Sequence, residues 1–249
     1  MAVAPELFSD HLAVLASCKL AVLTAGELAD ALSAERMPRR AVVLTFDDGF
    51  AAAVREAPPR LEAAGMRATF FAVAGHLGGA SDWRSRARGA PVAPLASAAE
   101  LAAIARSGHE VGCHGWLHEP LDLDVDLHRE IVESKRALAS ATGAAIQTFA
   151  YPYGARPSAA ARRLVEQTYT AGFGTAARRV RPDSPLWNLP RVDAHYLRDP
   201  ALLRRVVTGS LDEYLTMRRV ASRARRTFRK DYADRPAAEP AGATTSTRG

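Results

Sequence analysis

Thr45-Phe46-Asp47-Asp48-Gly49 sets two adjacent carboxylates directly after an apolar run. Like charges repel, and each carboxylate loses water on burial, so the pair is costly unless a cation lies nearby. Neighbouring side chains diverge, so one carboxylate can hold a metal while the other faces a substrate. Asp-Asp-Gly is also ordinary turn chemistry. His114 and His118 stand four residues apart. That spacing shares a helix face, and a loop can bring two such imidazoles onto one metal as well. Alone, the pair reads equally as surface or core histidines. Two His and one Asp, each at a strand exit, make a three-ligand zinc site with an open position for water. In Phe149-Ala150-Tyr151-Pro152-Tyr153-Gly154, proline and glycine impose a turn. Its backbone N–H groups can stabilise an oxyanion, or the turn is simply aromatic packing.

The elements that must position these residues alternate in type. Residues 41–46 read as a buried, continuous strand, followed by a helix over 50–64 that is interrupted near Pro58 and Pro59. Further strands are expected at 68–73, 109–113, 147–151, 173–176 and 189–192. Helices are expected from the Ser97/Glu100 capping box to Gly108, over 125–141, and over 157–170. Residues 5–35 read as two helices, the second opened by a Thr24/Glu27 capping box. The Gly-, Ser- and Arg-rich loop at 75–94 is long enough to form a site rim. Strands alternating with helices mean α/β with parallel pairing and right-handed crossovers. The pattern alone does not separate a closed barrel from an open sheet.

Composition narrows the class. The chain has 249 residues, 48% hydrophobic and 24% charged, which is ordinary for a globular protein of this size. Two cysteines, Cys18 and Cys113, make no disulfide framework, and Cys113 is expected to be buried and to point away from its neighbour His114. The apolar stretch 12–23 is cut by Ser17 and Lys19 and has the features of neither a membrane span nor a signal peptide. The expected location is therefore cytoplasmic. The net charge of +6 sits in residues 217–230, which hold seven basic and no acidic side chains. A nucleic-acid groove spreads its basic charge over the folded body, so no nucleic-acid partner is expected. An amphipathic basic helix over 212–232 could instead meet an anionic inner membrane face or an acidic partner through 217–230, or pack on the domain. The tail at 233–249 is expected to be disordered.

Taken together, the motifs resemble those of the polysaccharide deacetylases of carbohydrate esterase family four. The resemblance runs from Arg39 to Val192 and includes Gly108 through His118, Ala68 to Phe71, Tyr151 to Gly154 and Leu189-Pro190-Arg191. It implies an α/β fold, a distorted (β/α) barrel of seven or eight strands, occupying 39–211 behind an N-terminal helical extension at 1–38. It implies that Asp48, His114 and His118 hold zinc or another divalent metal, and that Asp47 is the general base. The Tyr153 N–H would complete the oxyanion hole. Known members carry an arginine where Ala150 stands, and Arg191 is the substitute offered here. A late catalytic-acid histidine is also missing its clean motif, leaving His195 as the one remaining histidine of the C-terminal part. His109 reads as packing, and Trp83 and Trp116 as core or sugar-stacking rim.

The activity so implied is removal of an acetyl group from an N-acetylated sugar. A lipid- or nucleotide-linked intermediate or a surface polysaccharide would be the substrate. The alternatives are a related amide or O-acetyl ester hydrolase, or a non-catalytic sugar-binding or scaffold protein of a polysaccharide assembly complex.

Overall fold

A computed structural model describes residues 3–86, 89–209 and 214–217. Among the described residues, seven short strands all pair in parallel. β1 (Ala21–Leu23) pairs with β2 (Ala41–Val43). A five-stranded sheet then runs in sequence order through β3 (Thr45–Phe46), β4 (Thr69–Ala72), β5 (Glu110–Cys113), β6 (Thr148–Ala150) and β7 (Ala171–Phe173). Strands joined in order by helical crossovers curl one way, and the sheet is a parallel half-barrel. β4 to β7 are buried along almost their whole length, as strands covered on both faces are.

The strand expected over 41–46 is shared between the two sheets. Leu44 lies at the changeover, its carbonyl accepting from Thr69 N–H at 2.9 Å. The N-terminal stretch contributes α1 (Pro5–Ser17) and α2 (Ala25–Ser33), with β1 between them where only helices were expected. Three residues are too short for periodicity to reveal. The Thr24/Glu27 box caps α2 as expected.

α2 also closes the sheet at the strand N-termini. The Glu110 carboxylate accepts from Gly26 N–H at 2.8 Å, Thr69 Oγ1–H at 2.9 Å and Thr148 Oγ1–H at 2.6 Å. Thr69 Oγ1 in turn accepts from Ala25 N–H at 2.8 Å. The first residues of β4, β5 and β6 are thereby tied to the start of α2. That leaves the opposite edge, at the strand C-termini, for chemistry.

Around the sheet run α3 (Ala51–Ala63), α4 (Ala98–Arg106), α5 (Ser134–Thr142), α6 (Ala159–Thr168) and α7 (Pro200–Thr208). Pro58 and Pro59 do not interrupt α3. They cost two helical N–H donors, but Val54, Ala57, Pro58 and Leu61 are buried, and packing of that face holds the helix. The helix expected over 125–141 is present over 127–142, with a π-turn at Arg129–Glu133 leading into α5, and ends on Gly143 at φ +68°. Residues 189–192 form no strand. Leu189 makes a single parallel bridge to Phe173, and Pro190 has no N–H with which to extend it.

Residues 214–217 are helical, with Leu215 buried and Tyr214 Oη–H donating to Tyr196 O at 2.9 Å. The rest of the basic helix expected over 212–232, and the tail at 233–249, lie outside the described residues. Among the described residues no helix is long and apolar enough to cross a membrane.

Candidate active site

β3 ends at Phe46, and the chain reverses through Asp48 at φ +71° and Gly49 at φ +73°. At Gly49 a Cβ would stand 3.3 Å from Ala72, so glycine serves both the conformation and the close approach. The turn sends the two carboxylates apart. Asp48 Oδ1 lies 3.2 Å from His114 Nε2 and 3.1 Å from His118 Nε2. One ligand atom from each of the three residues falls within 4.8 Å of the other two. Asp47 faces Arg191 instead, meeting Nη1 at 2.6 Å and Nη2 at 2.8 Å.

His114 follows β5, where its N–H donates to Ala72 O at 2.8 Å. Its Nδ1 lies 2.7 Å from Ala150 O, so Nδ1–H donates to that carbonyl and Nε2 is the nitrogen on the Asp48 side. Nε2, once it gives up its proton, is the atom a metal would bind. His118, at φ +60°, is wedged between Trp83 at 4.2 Å and Tyr153 at 4.6 Å, centroid to centroid. Ser85 Oγ–H donates to His118 O at 2.8 Å and Oγ accepts from Tyr153 Oη–H at 3.1 Å. Trp83 and Ser85 come from the long loop expected at 75–94, which therefore builds the wall behind one histidine; both are buried.

The charges agree with a cation site. Burial pushes the Asp48 carboxyl up, but its hydrogen bonds to His114 and His118 outweigh this and hold it well below the usual carboxylate range. For His114 burial opposes the charged form, yet the Asp48 hydrogen bond and the charges of Asp47 and Asp48 raise it above the ordinary imidazole value. Burial lowers His118. Burial also pushes Asp47 up, and Arg191, with help from His114, brings it below its ordinary value. Two imidazole nitrogens and a carboxylate oxygen converging in a buried recess are a donor set suited to zinc or another divalent ion. Backbone strain is concentrated in the same place. Of the five described non-glycine residues at positive φ, Asp48, His118 and Tyr153 belong to this site.

Arg191 stands where 189–192 passes the end of β7. Nε–H donates to Gly174 O at 3.0 Å and Nη1–H to Thr45 Oγ1 at 3.2 Å, in addition to the two bonds to Asp47. Ala150, the position of the arginine in known family members, is buried at the end of β6 and offers only its carbonyl to His114. Tyr153 joins the site on the turn after β6, at φ +58°. His195 does not come against these groups through any contact the described residues make. Its N–H donates to Asp193 Oδ1 at 2.9 Å and its ring lies against Tyr196. His109 is core packing, edge-on to Phe70 and accepting from Ala68 N–H. Cys113 is buried against Ser134. Glu130 was missed by the sequence reading. Its carboxylate, 3% exposed, accepts from the N–H groups of Trp116 and Leu117 between the two histidines.

A parallel half-barrel carrying this carboxylate and imidazole set at its C-terminal edge is an α/β architecture with a candidate metal site. More particularly, the polysaccharide deacetylase family model matches residues 34–172, and the chain belongs to that family. Solved structures share the fold. A Streptococcus pyogenes deacetylase in complex with acetate is 22% identical at a TM-score of 0.65, over 76% of this chain and 80% of that one. The protein IcaB from Ammonifex degensii is 22% identical at 0.66, over 82% and 90%. A polysaccharide deacetylase from Bacillus cereus is 20% identical at 0.61, over 76% and 57%, so this chain spans little more than half of that protein. No curated protein matches.

Proposed function

We propose that the protein is a metal-dependent de-N-acetylase acting on an N-acetylated sugar. The convergence of Asp48, His114 and His118 within 4.8 Å, beside an Arg191-clamped Asp47, carries this reading. Asp48, His114 and His118 are assigned to a divalent metal, with zinc the best match to two nitrogens and one oxygen. Such an ion, when bound, acidifies a water and polarises the acetamide carbonyl.

The chain's own residues supply the remainder. Asp47 is the general base: its side chain keeps 36% of its surface, enough for a water to reach it. Arg191 fixes the carboxylate through both oxygens and keeps it ionised. The Tyr153 N–H, on the strained turn whose ring abuts His118, is assigned to the developing oxyanion. Asp47, having taken the proton from the attacking water, is assigned its return to the amine as the C–N bond breaks, so no step needs His195.

Acetate release tests the reading, measured on N-acetyl sugars carried by a lipid, by a nucleotide or in a polymer. Release by wild type from at least one of these, with Asp47→Asn lowered by about 3–4 kcal/mol in kcat/KM at unchanged zinc content, is expected. Release from none, or an Asp47→Asn variant as active as wild type, contradicts it.

A further inference from the structure

Between the two histidines the chain is a loop, so their spacing alone does not bring them to one point. Something must set its curvature. Trp116 N–H and Leu117 N–H donate to Glu130 Oε2 and Oε1, each at 2.9 Å. Gly115, at φ +89°, lies so close that a Cβ there would stand 2.5 Å from Oε2. The loop is thus moulded onto one buried carboxylate and needs glycine where it passes it. The outer side is fixed too, with Gly115 O and Trp116 O accepting from Ala74 and Gly75 N–H at 2.9 Å.

The carboxylate is itself held in an unusual way. Glu130 sits in the π-turn Arg129–Glu133, whose wide i→i+5 step is made by Ser134 N–H bonding Arg129 O. Two carbonyls of the turn accept from side chains. Ser134 Oγ–H donates to Glu130 O at 2.6 Å, and Tyr169 Oη–H to Ile131 O at 2.7 Å. Cys113, one residue before His114, reaches Ser134 Oγ at 3.2 Å.

We infer that Glu130 is a positioning residue for the metal site: its carboxylate, projected by the π-turn, presets the 115–117 backbone so that His114 and His118 present both Nε2 atoms to Asp48. This rests on the metal-site reading above. Partners that orient metal ligands carry about 10–100-fold of metal affinity.

The experiment measures zinc affinity by competition with a chromophoric chelator, and Co(II) absorption, for wild type, Glu130→Gln and Glu130→Ala. Thermal midpoints are taken without metal. Gln keeps the volume but turns an NH2 toward one loop N–H, so Gln is expected to lose roughly tenfold and Ala roughly a hundredfold in zinc affinity. The Co(II) spectrum should change with it. A merely structural role lowers the midpoint and leaves affinity and spectrum alone, and folded variants that bind zinc as wild type does overturn the inference. Amide exchange of the metal-free wild type decides the matter should neither variant fold. Protected Trp116 and Leu117 amides are expected, and exchange at exposed-loop rates overturns it. Failure of wild type to bind zinc would instead strike the functional reading.

Discussion

Arg191 grips both carboxylate oxygens of Asp47 across 144 residues of chain. A fork-to-fork pair of this kind fixes orientation as well as charge. It also places an arginine on Asp47, the proposed base, from the segment that passes the end of β7 rather than from the end of β6, where Ala150 stands.

Arg191→Ala is expected to lower kcat/KM by about 2–3 kcal/mol with zinc content unchanged. The arginine counters the upward push of burial on Asp47, so its loss raises that carboxyl's pKa. A general base acts as an anion, so with Asp47 in that proposed role the acidic limb of the pH–rate profile should move to higher pH. A limb that stays in place, with activity unchanged, would separate Arg191 from the base.

Zinc and protons should compete for His114, whose affinity for a proton is raised in the metal-free protein. A group with a raised folded pKa stabilises the fold below its unfolded value, and that contribution is lost as pH rises through the folded value. The Asp48 contribution runs the other way, being present above the ordinary carboxyl value and lost in acid. The gain in thermal midpoint on adding zinc should hence be larger at pH 8 than at pH 6. A gain independent of pH between those values counts against His114 as a ligand.

At the opposite end of the sheet, Glu110→Ala removes the acceptor shared by Gly26 N–H, Thr69 and Thr148. Leaving these donors unpaired should cost about 2–4 kcal/mol, read as a lower denaturation midpoint. Zinc affinity of the folded variant should stay at the wild-type value, because none of those contacts reaches the metal site.

The candidate site residues were legible because they follow apolar strands and carry chemistry in their own side chains: Asp47 and Asp48 after β3, His114 after β5. Both capping boxes, Thr24/Glu27 and Ser97/Glu100, fell where the sequence places them. What escaped depends on tertiary context. β1 is three residues long and exists through its pairing with β2. α3 runs through Pro58-Pro59 because its buried face outweighs two lost hydrogen bonds. Glu130 gave no signal of its own, since a glutamate beside Arg129 and Glu133 looks like a solvated helix face. Its place on the buried face, with Ser134 and Leu138, shows only in the structure. The arrangement of Trp83 and Ser85 behind His118 was equally hidden, because long loops carry no periodicity.

The most direct measurement is the metal stoichiometry of purified protein after zinc reconstitution, with acetate release followed on the same samples, for wild type and His114→Ala. Wild type should hold about one equivalent and release acetate, and the variant should do neither, since the proposed site has only three protein ligands. A wild type that binds no zinc, or a variant that keeps both the metal and the activity, would contradict the assignment of Asp48, His114 and His118.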